Sequence, residues 1–241
     1  AYALAPALGV ALGAAQGSLV ARLRIPPFIV TLGGMLVFQG ALLGLTRGVT
    51  VTPPPAFLLV GQTYLPPLIG SLLSLACVLV CARRMATSRG TERLRWLAVL
   101  ALVPLFVHTM NAYEGVPVPV LLLVVVASLL ALVATRTPFG RHLYAIGGNR
   151  EAAFYSGVPI ERRITGVFMV MGALAGVAGV VLTARVGAAT TDAGRMMELD
   201  AIAAAVIGGT SLLGGRGSVW GALLGALVMA SLDNGMSLLD T

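Results

Sequence analysis

The chain has 241 residues, 58% of them hydrophobic and only 10% charged, with a mean hydropathy of +0.95; water-soluble domains carry roughly 25% charge, so this composition belongs to the bilayer. All 16 basic residues are Arg, which excludes a P-loop, whose lysine must reach the nucleotide phosphates. The net charge of +7 sits in short loops between apolar stretches, where arginines set orientation and meet anionic lipid, so nucleic acid is not an expected partner.

A membrane-spanning helix needs about 20 apolar residues, with a range of about 17 to 25. Eight segments come close: residues 3–21, 29–45, 66–82, 96–112, 118–134, 164–184, 199–213 and 217–236. They predict an all-α polytopic bundle, one transmembrane domain over residues 1–241. The seventh segment is short and runs into Gly208-Gly209 and Gly214-Gly215, so it is expected to be broken or tilted. The chain opens at Ala1 inside an apolar run, and both ends read as cuts through a longer protein.

Arginine-rich loops stay in the cytoplasm. Placing the loop from Arg83 to Arg95 inside puts Arg22, Arg24, Arg83, Arg84, Arg89, Arg93, Arg95, Arg136, Arg141, Arg150, Arg162, Arg163 and Arg216 inside as well. Only Arg47, Arg185 and Arg195 remain outside, 13 against 3 of the 16. Both ends of the chain then lie outside. The outer connection 46–65 holds Pro53-Pro54-Pro55, which favours an extended or re-entrant path. The inner connection 135–163 is the longest soluble stretch, and a third, from Arg185 to Glu198, is polar enough to meet a partner, cover a pore or simply be solvated.

Small residues recur four apart at Gly9, Gly13 and Gly17, at Gly40 and Gly44, at Gly172 and Gly176, and at Gly217, Gly221 and Gly225. In lipid such stripes let helix backbones approach, and tight packing within the bundle is their plain reading. Cys77 and Cys81 share one helix face as small buried hydrophobes, and no metal site or cofactor is expected, since His108 and His142 fall in different segments.

The centres of all eight segments lack ionisable residues; Asp200, Asp233 and His108 lie near outer ends. No nucleophile and base converge to make an intramembrane hydrolase, and no titrating group lines a path for proton coupling. Sodium coupling through backbone carbonyls stays open. The inner loop is more specific. In Gly147-Gly148-Asn149-Arg150-Glu151-Ala152-Ala153-Phe154-Tyr155-Ser156-Gly157-Val158-Pro159, Asn149 can cap a helix and Glu151 suits its first turn. Gly157 suits a left-handed stop, and Pro159 prevents continuation. The spacing predicts a helix of about two turns, roughly 10 Å long, able to enter a groove on a soluble partner.

GRHLYAIGGNREAAFYSGVPIERR, residues 140–163, resembles the coupling loop of ABC importer permeases of the ribose and xylose type. ELDAIAAAVIGGTSLLGGRGSVWGALLGALVMASLDNGMSLLD, residues 198–240, and IPPFIVTLGGMLVFQGALLGLTRG, residues 25–48, resemble two further conserved stretches of that family. NAYEGVPVPVLLL, residues 111–123, and SLDNGMS, residues 231–237, look most like xylose permeases.

The resemblance implies an inner-membrane subunit of a bacterium, without a nucleotide site of its own. It would pair with a second permease copy, dock cytoplasmic ABC ATPases through its inner loop, and receive a monosaccharide, xylose or a similar pentose, from an extracytoplasmic binding protein. Asn149, Glu151, Ala152, Ala153 and Gly157 match the family's coupling motif, Gly147 and Gly148 precede them in the same loop, and Ala152 and Ala153 are expected to face the ATPase groove. Family members have about ten helices, so the chain would lack one or two at its start and one at its end. The path needs neutral polar groups, for which Thr31, Gln39 and Asn111 are candidates against plain helix-to-helix hydrogen bonding. The rival readings are a secondary sugar carrier independent of ATP and a structural membrane protein, for which the capped inner helix has no purpose.

Overall fold

The computed structural model describes residues 2–68, 70–71, 74–75, 78–79, 82–83, 103–112 and 114–239. Among these the chain is all helical apart from loops and two isolated bridges, Val51 with Ala189 and Tyr64 with Pro117. Cys77, Cys81, Arg84, Arg89, Arg93 and Arg95, and much of the third and fourth expected segments, lie outside the described residues.

Two compact units divide the chain, residues 1–53 with 124–241, and residues 54–123. In the first, α1 (Leu4–Arg22) and α2 (Pro27–Thr46) come first in sequence. They are followed by most of α4 (Val118–Arg136), then α5 (Pro138–Gly148), α6 (Arg150–Tyr155), α7 (Ile160–Val186), α8 (Met197–Ile207) and α9 (Val219–Leu238). In the second, α3 (Pro55–Gln62) opens the unit, and the described residues from 67 to 83 and residues 103–111 are helical.

Among the described residues five helices are long and apolar enough to cross a membrane: α1, α2, α4, α7 and α9. They correspond to five of the eight expected segments. The seventh is α8, whose 11 residues reach about 16 Å against a hydrocarbon core of about 30 Å, so it cannot span alone. The outer connection is extended at Pro54, as expected, but does not stay so. Pro55 opens α3 in its first turn, because proline's missing N–H costs nothing there and its fixed φ is already helical.

Glycine builds the core of the first unit. Antiparallel α1 and α7 cross where Gly9 meets Gly172: a Cβ on either would strike the other's carbonyl. Along the same seam Gly13 lies on the Phe168 backbone, Gly17 on the Phe168 side chain, and Gly176 on Ala5 and Pro6. Lipid offers no hydrophobic drive between helices, so this close backbone approach is what gains dispersion contact. The α8–α9 pair repeats the device, with Gly208 against Gly221 and Gly225 against Ala204. By contrast α2 buries none of its residues, and Gly40 and Gly44 have nothing within 4 Å among the described residues. The stripes are thus close-packed seams at the first, third and fourth sites, where Gly217 instead abuts Thr210, but not at the second.

Within residues 54–123, Leu65 N–H donates to Val116 C=O at 2.9 Å and Val118 N–H to Thr63 C=O at 3.0 Å. Gly115, at φ +107°, makes this ribbon possible, since its missing Cβ leaves room for the Leu65 carbonyl.

Candidate coupling surface

The arginine-rich end of the first unit is built from the connection between α4 and α7. Thr137 turns the chain: its hydroxyl donates to Val133 C=O at 2.7 Å and accepts from Gly140 N–H at 3.4 Å, while Pro138 occupies the first helical turn. Gly140 is buried because a Cβ there would enter the Ala134 backbone. The expected soluble loop 135–163 therefore holds two helices, and α7 begins at Ile160, four residues before its segment was expected. Helix α5 was not expected, although its pattern carries a signal: half-buried Phe139, His142, Leu143 and Ile146 recur at i, i+3, i+4 and i+7. Phe139 lies beneath the Arg163 guanidinium, 5.7 Å from ring centroid to Cζ, and against Gly166 of α7.

Helix α6 forms as its sequence predicts. Asn149 Oδ1 accepts from Ala152 N–H at 3.0 Å, Glu151 stands in the first turn, and Gly157 takes φ +77°. Gly157 N–H then donates to Phe154 C=O at 2.9 Å and Val158 N–H to Ala153 C=O at 3.1 Å, which closes the helix.

The facing of α6 corrects one expectation. Ala152 is exposed, but Ala153 is only 4% exposed and belongs to the chain's own core. Phe154 and Tyr155, 66% and 86% exposed and in edge-to-face contact, stand outward instead. Ala153 and a partner groove cannot share the same surface.

A second loop meets this one. After α8, Gly209 at φ +86° turns the chain, and Thr210 N–H closes the end on Ala205 C=O at 3.0 Å. Ser211 N–H donates to Arg216 C=O at 3.0 Å, and Ser218 caps α9 by accepting from Gly221 N–H at 3.0 Å. Between them Gly214 and Gly215 cross Gly147 and Gly148: a Cβ on Gly214 would stand 3.0 Å from the Gly147 carbonyl oxygen, and one on Gly215 2.9 Å from Gly148 Cα. The Tyr144 hydroxyl donates to Gly217 C=O at 2.9 Å. This crossing ties the joint between α5 and α6 to the hairpin of α8 and α9, and it leaves Leu212 and Leu213 projecting, the latter 96% exposed. Both glycine pairs stand in the sequence, but nothing local marks them as touching.

Of the candidate path residues, Thr31 and Gln39 lie on α2 in the first unit and Asn111 in the second. Thr31 Oγ1 donates within α2 to Pro27 and Phe28 carbonyls at 3.0 and 3.2 Å. Gln39 is exposed on the same helix. Asn111, in the other unit, donates from Nδ2 to Pro67 C=O at 3.4 Å, beside Gly70, a contact between helices of the kind weighed against a path role.

A family model described as branched-chain amino acid transport system, permease component, matches residues 1–241. The xylose transport system permease protein of Escherichia coli K12 is 46% identical over 97% of this chain and 63% of its own length. That of Haemophilus influenzae is 44% identical over 97% and 66%. The ribose import permease protein of Bacillus subtilis is 35% identical over 93% and 56%. The chain thus spans a little under two thirds of the length of the E. coli xylose permease. No solved structure matches it. Its relatives are bacterial permeases and five of its helices can cross a membrane, which makes it a multi-pass protein of the bacterial inner membrane. The chain belongs to the family of branched-chain amino acid transport system permease components.

Proposed function

We propose that the chain is most of the membrane subunit of an ABC importer that moves a monosaccharide, xylose or a similar pentose, into the cell. ATP is hydrolysed on a partner subunit that docks at α6, an extracytoplasmic binding protein delivers the sugar, and a second permease copy completes the pore. The family's description names amino acids, so the substrate class rests on the relatives, which are named for xylose, ribose and allose. The single observation that carries the reading is the 46% identity to a xylose permease over nearly the whole chain. The capped α6, with Ala152, Phe154 and Tyr155 outward, supports it as the piece a soluble ATPase can grip. A path without a titrating group needs its energy delivered from outside the membrane, which a nucleotide-driven partner does.

The test is xylose uptake by cells carrying the full-length permease, with a protonophore present and ATP held constant. Uptake persists if ATP drives it. Collapse of uptake at unchanged ATP would return the protein to the secondary carriers.

A further inference from the structure

Beside α6, at the end of α1 and α7 where the arginines gather, lies an open cavity of about 1030 Å³. Its charged lining is Arg24, Arg150 and Arg162 with Glu151 and Glu161. None of these five takes part in an ion pair with another described residue. Arg24 holds a left-handed backbone at φ +54°, a conformation a residue with a Cβ adopts only when its surroundings impose it. The bend between α1 and α2 thus presents a guanidinium to the cavity at the expense of local strain.

The cavity has a polarity. Arg162 stands in the first turn of α7, whereas Ile164 and Phe168 line the same space further along that helix, together with Val20 of α1. Six residues separate Arg162 from Phe168, about 9 Å at 1.5 Å per residue, and both α1 and α7 are long and apolar enough to cross the membrane. The space therefore runs from a charged mouth to an apolar floor along helices long and apolar enough to cross a membrane. A soluble protein segment filling it would have to enter lipid depth, whereas an amphiphile already lies there.

We propose that this cavity is a binding site for a phospholipid whose headgroup carries both a phosphate and an ammonium, a phosphatidylethanolamine. The phosphate meets Arg24, Arg150 and Arg162, for guanidinium and phosphate oxygens form strong charge-assisted hydrogen bonds. The ammonium meets Glu151 and Glu161. An acyl chain lies along Val20, Ile164 and Phe168. Basic pockets between spanning helices at the cytoplasmic side commonly take lipid headgroups, and the two carboxylates make a purely anionic headgroup the poorer fit.

The experiment is native mass spectrometry of the purified full-length permease in detergent, titrated with dioleoylphosphatidylethanolamine or dioleoylphosphatidylglycerol. The ethanolamine lipid binds the parent more tightly. Arg24→Ala with Arg162→Ala weakens it about tenfold or more, the loss expected when hydrogen bonds between charged groups go. Glu161→Gln, nearly isosteric, narrows or reverses the preference over the glycerol lipid while leaving the melting temperature unchanged. All these variants keep α6 intact, so co-purification of the ATPase is expected at parental levels, which separates failure of this site from failure of the transport reading. Equal binding of the two lipids by the parent, or affinities untouched by both variants, overturns the proposal. So does loss of the ATPase from the arginine variant with lipid binding unchanged, which would make the cavity a seat for the partner protein.

Discussion

Gly215 and Gly148 touch backbone to backbone: a Cβ on Gly215 would stand 2.9 Å from Gly148 Cα and 3.0 Å from its N. The contact joins the end of α5 to the loop between α8 and α9, and Gly215 also needs its φ of +74°. Gly215→Ala must therefore both separate the loops and strain its own backbone, at about 1–3 kcal/mol. We expect the full-length permease to melt lower in detergent and to lose sugar uptake. Parental melting and uptake would show the crossing to be dispensable.

Ala152 and Ala153 are adjacent and should behave oppositely. Ala153→Arg buries an unpaired guanidinium in the chain's core, at a cost of well over about 2 kcal/mol, enough to lower membrane abundance several-fold. Ala152→Arg, on the exposed face, leaves abundance near parental and weakens ATPase docking. Immunoblots of membranes and co-purification of the ATPase measure the two effects, and equal abundance of both variants would contradict the facing of α6.

Asn149→Ala removes the oxygen that accepts from Ala152 N–H. Loss of such a cap costs about 1 kcal/mol, or roughly fivefold in local opening. Hydrogen exchange across α6 should quicken by about that factor, with α7 unaffected. Unchanged exchange would mean that packing at Ala153, not the cap, holds the helix.

Gly172→Leu drives a side chain into the Gly9 backbone, whereas Gly179→Leu on the same helix meets open space. Overpacking costs about 1–3 kcal/mol, which lowers the melting temperature by about 2–4 °C per kcal/mol in a protein of this size. Only the first variant should show the drop. Similar melting of the two would deny that α1 and α7 are held by close approach.

Single cysteines at 150 and 216 should resist a membrane-impermeant thiol reagent in intact cells, and cysteines at 47 and 195 should react, in a background lacking Cys77 and Cys81. The 13-to-3 arginine division sets the direction. The contact of Gly147 with Gly215 independently requires the two loops to share a side. Labelling at 216 without labelling at 150 would break that contact, and labelling at both would invert the orientation.

The sequence by itself determined whatever depends on one residue's chemistry or on a run of like residues. Long apolar runs gave, among the described residues, five helices able to cross a membrane, because burying backbone polar groups in lipid leaves a helix no alternative. Asn149, Gly157 and Pro159 gave the ends of α6 because capping and left-handed turns are local events. Only the tertiary structure decided pairings between distant residues. Both Gly9 and Gly40 stand in glycine stripes, yet only Gly9 meets another helix backbone among the described residues. A stripe records permission to approach and not the partner. The two-turn α6 is too short for periodicity to say which alanine turns inward, and packing turned Ala153. Nothing local marks Gly147-Gly148 and Gly214-Gly215 as mates, since their contact arises where separate helices end side by side. Helix α8 stops at 11 residues because Gly208 and Gly209 end it, and α9 can then lie against it through Gly221 and Gly225.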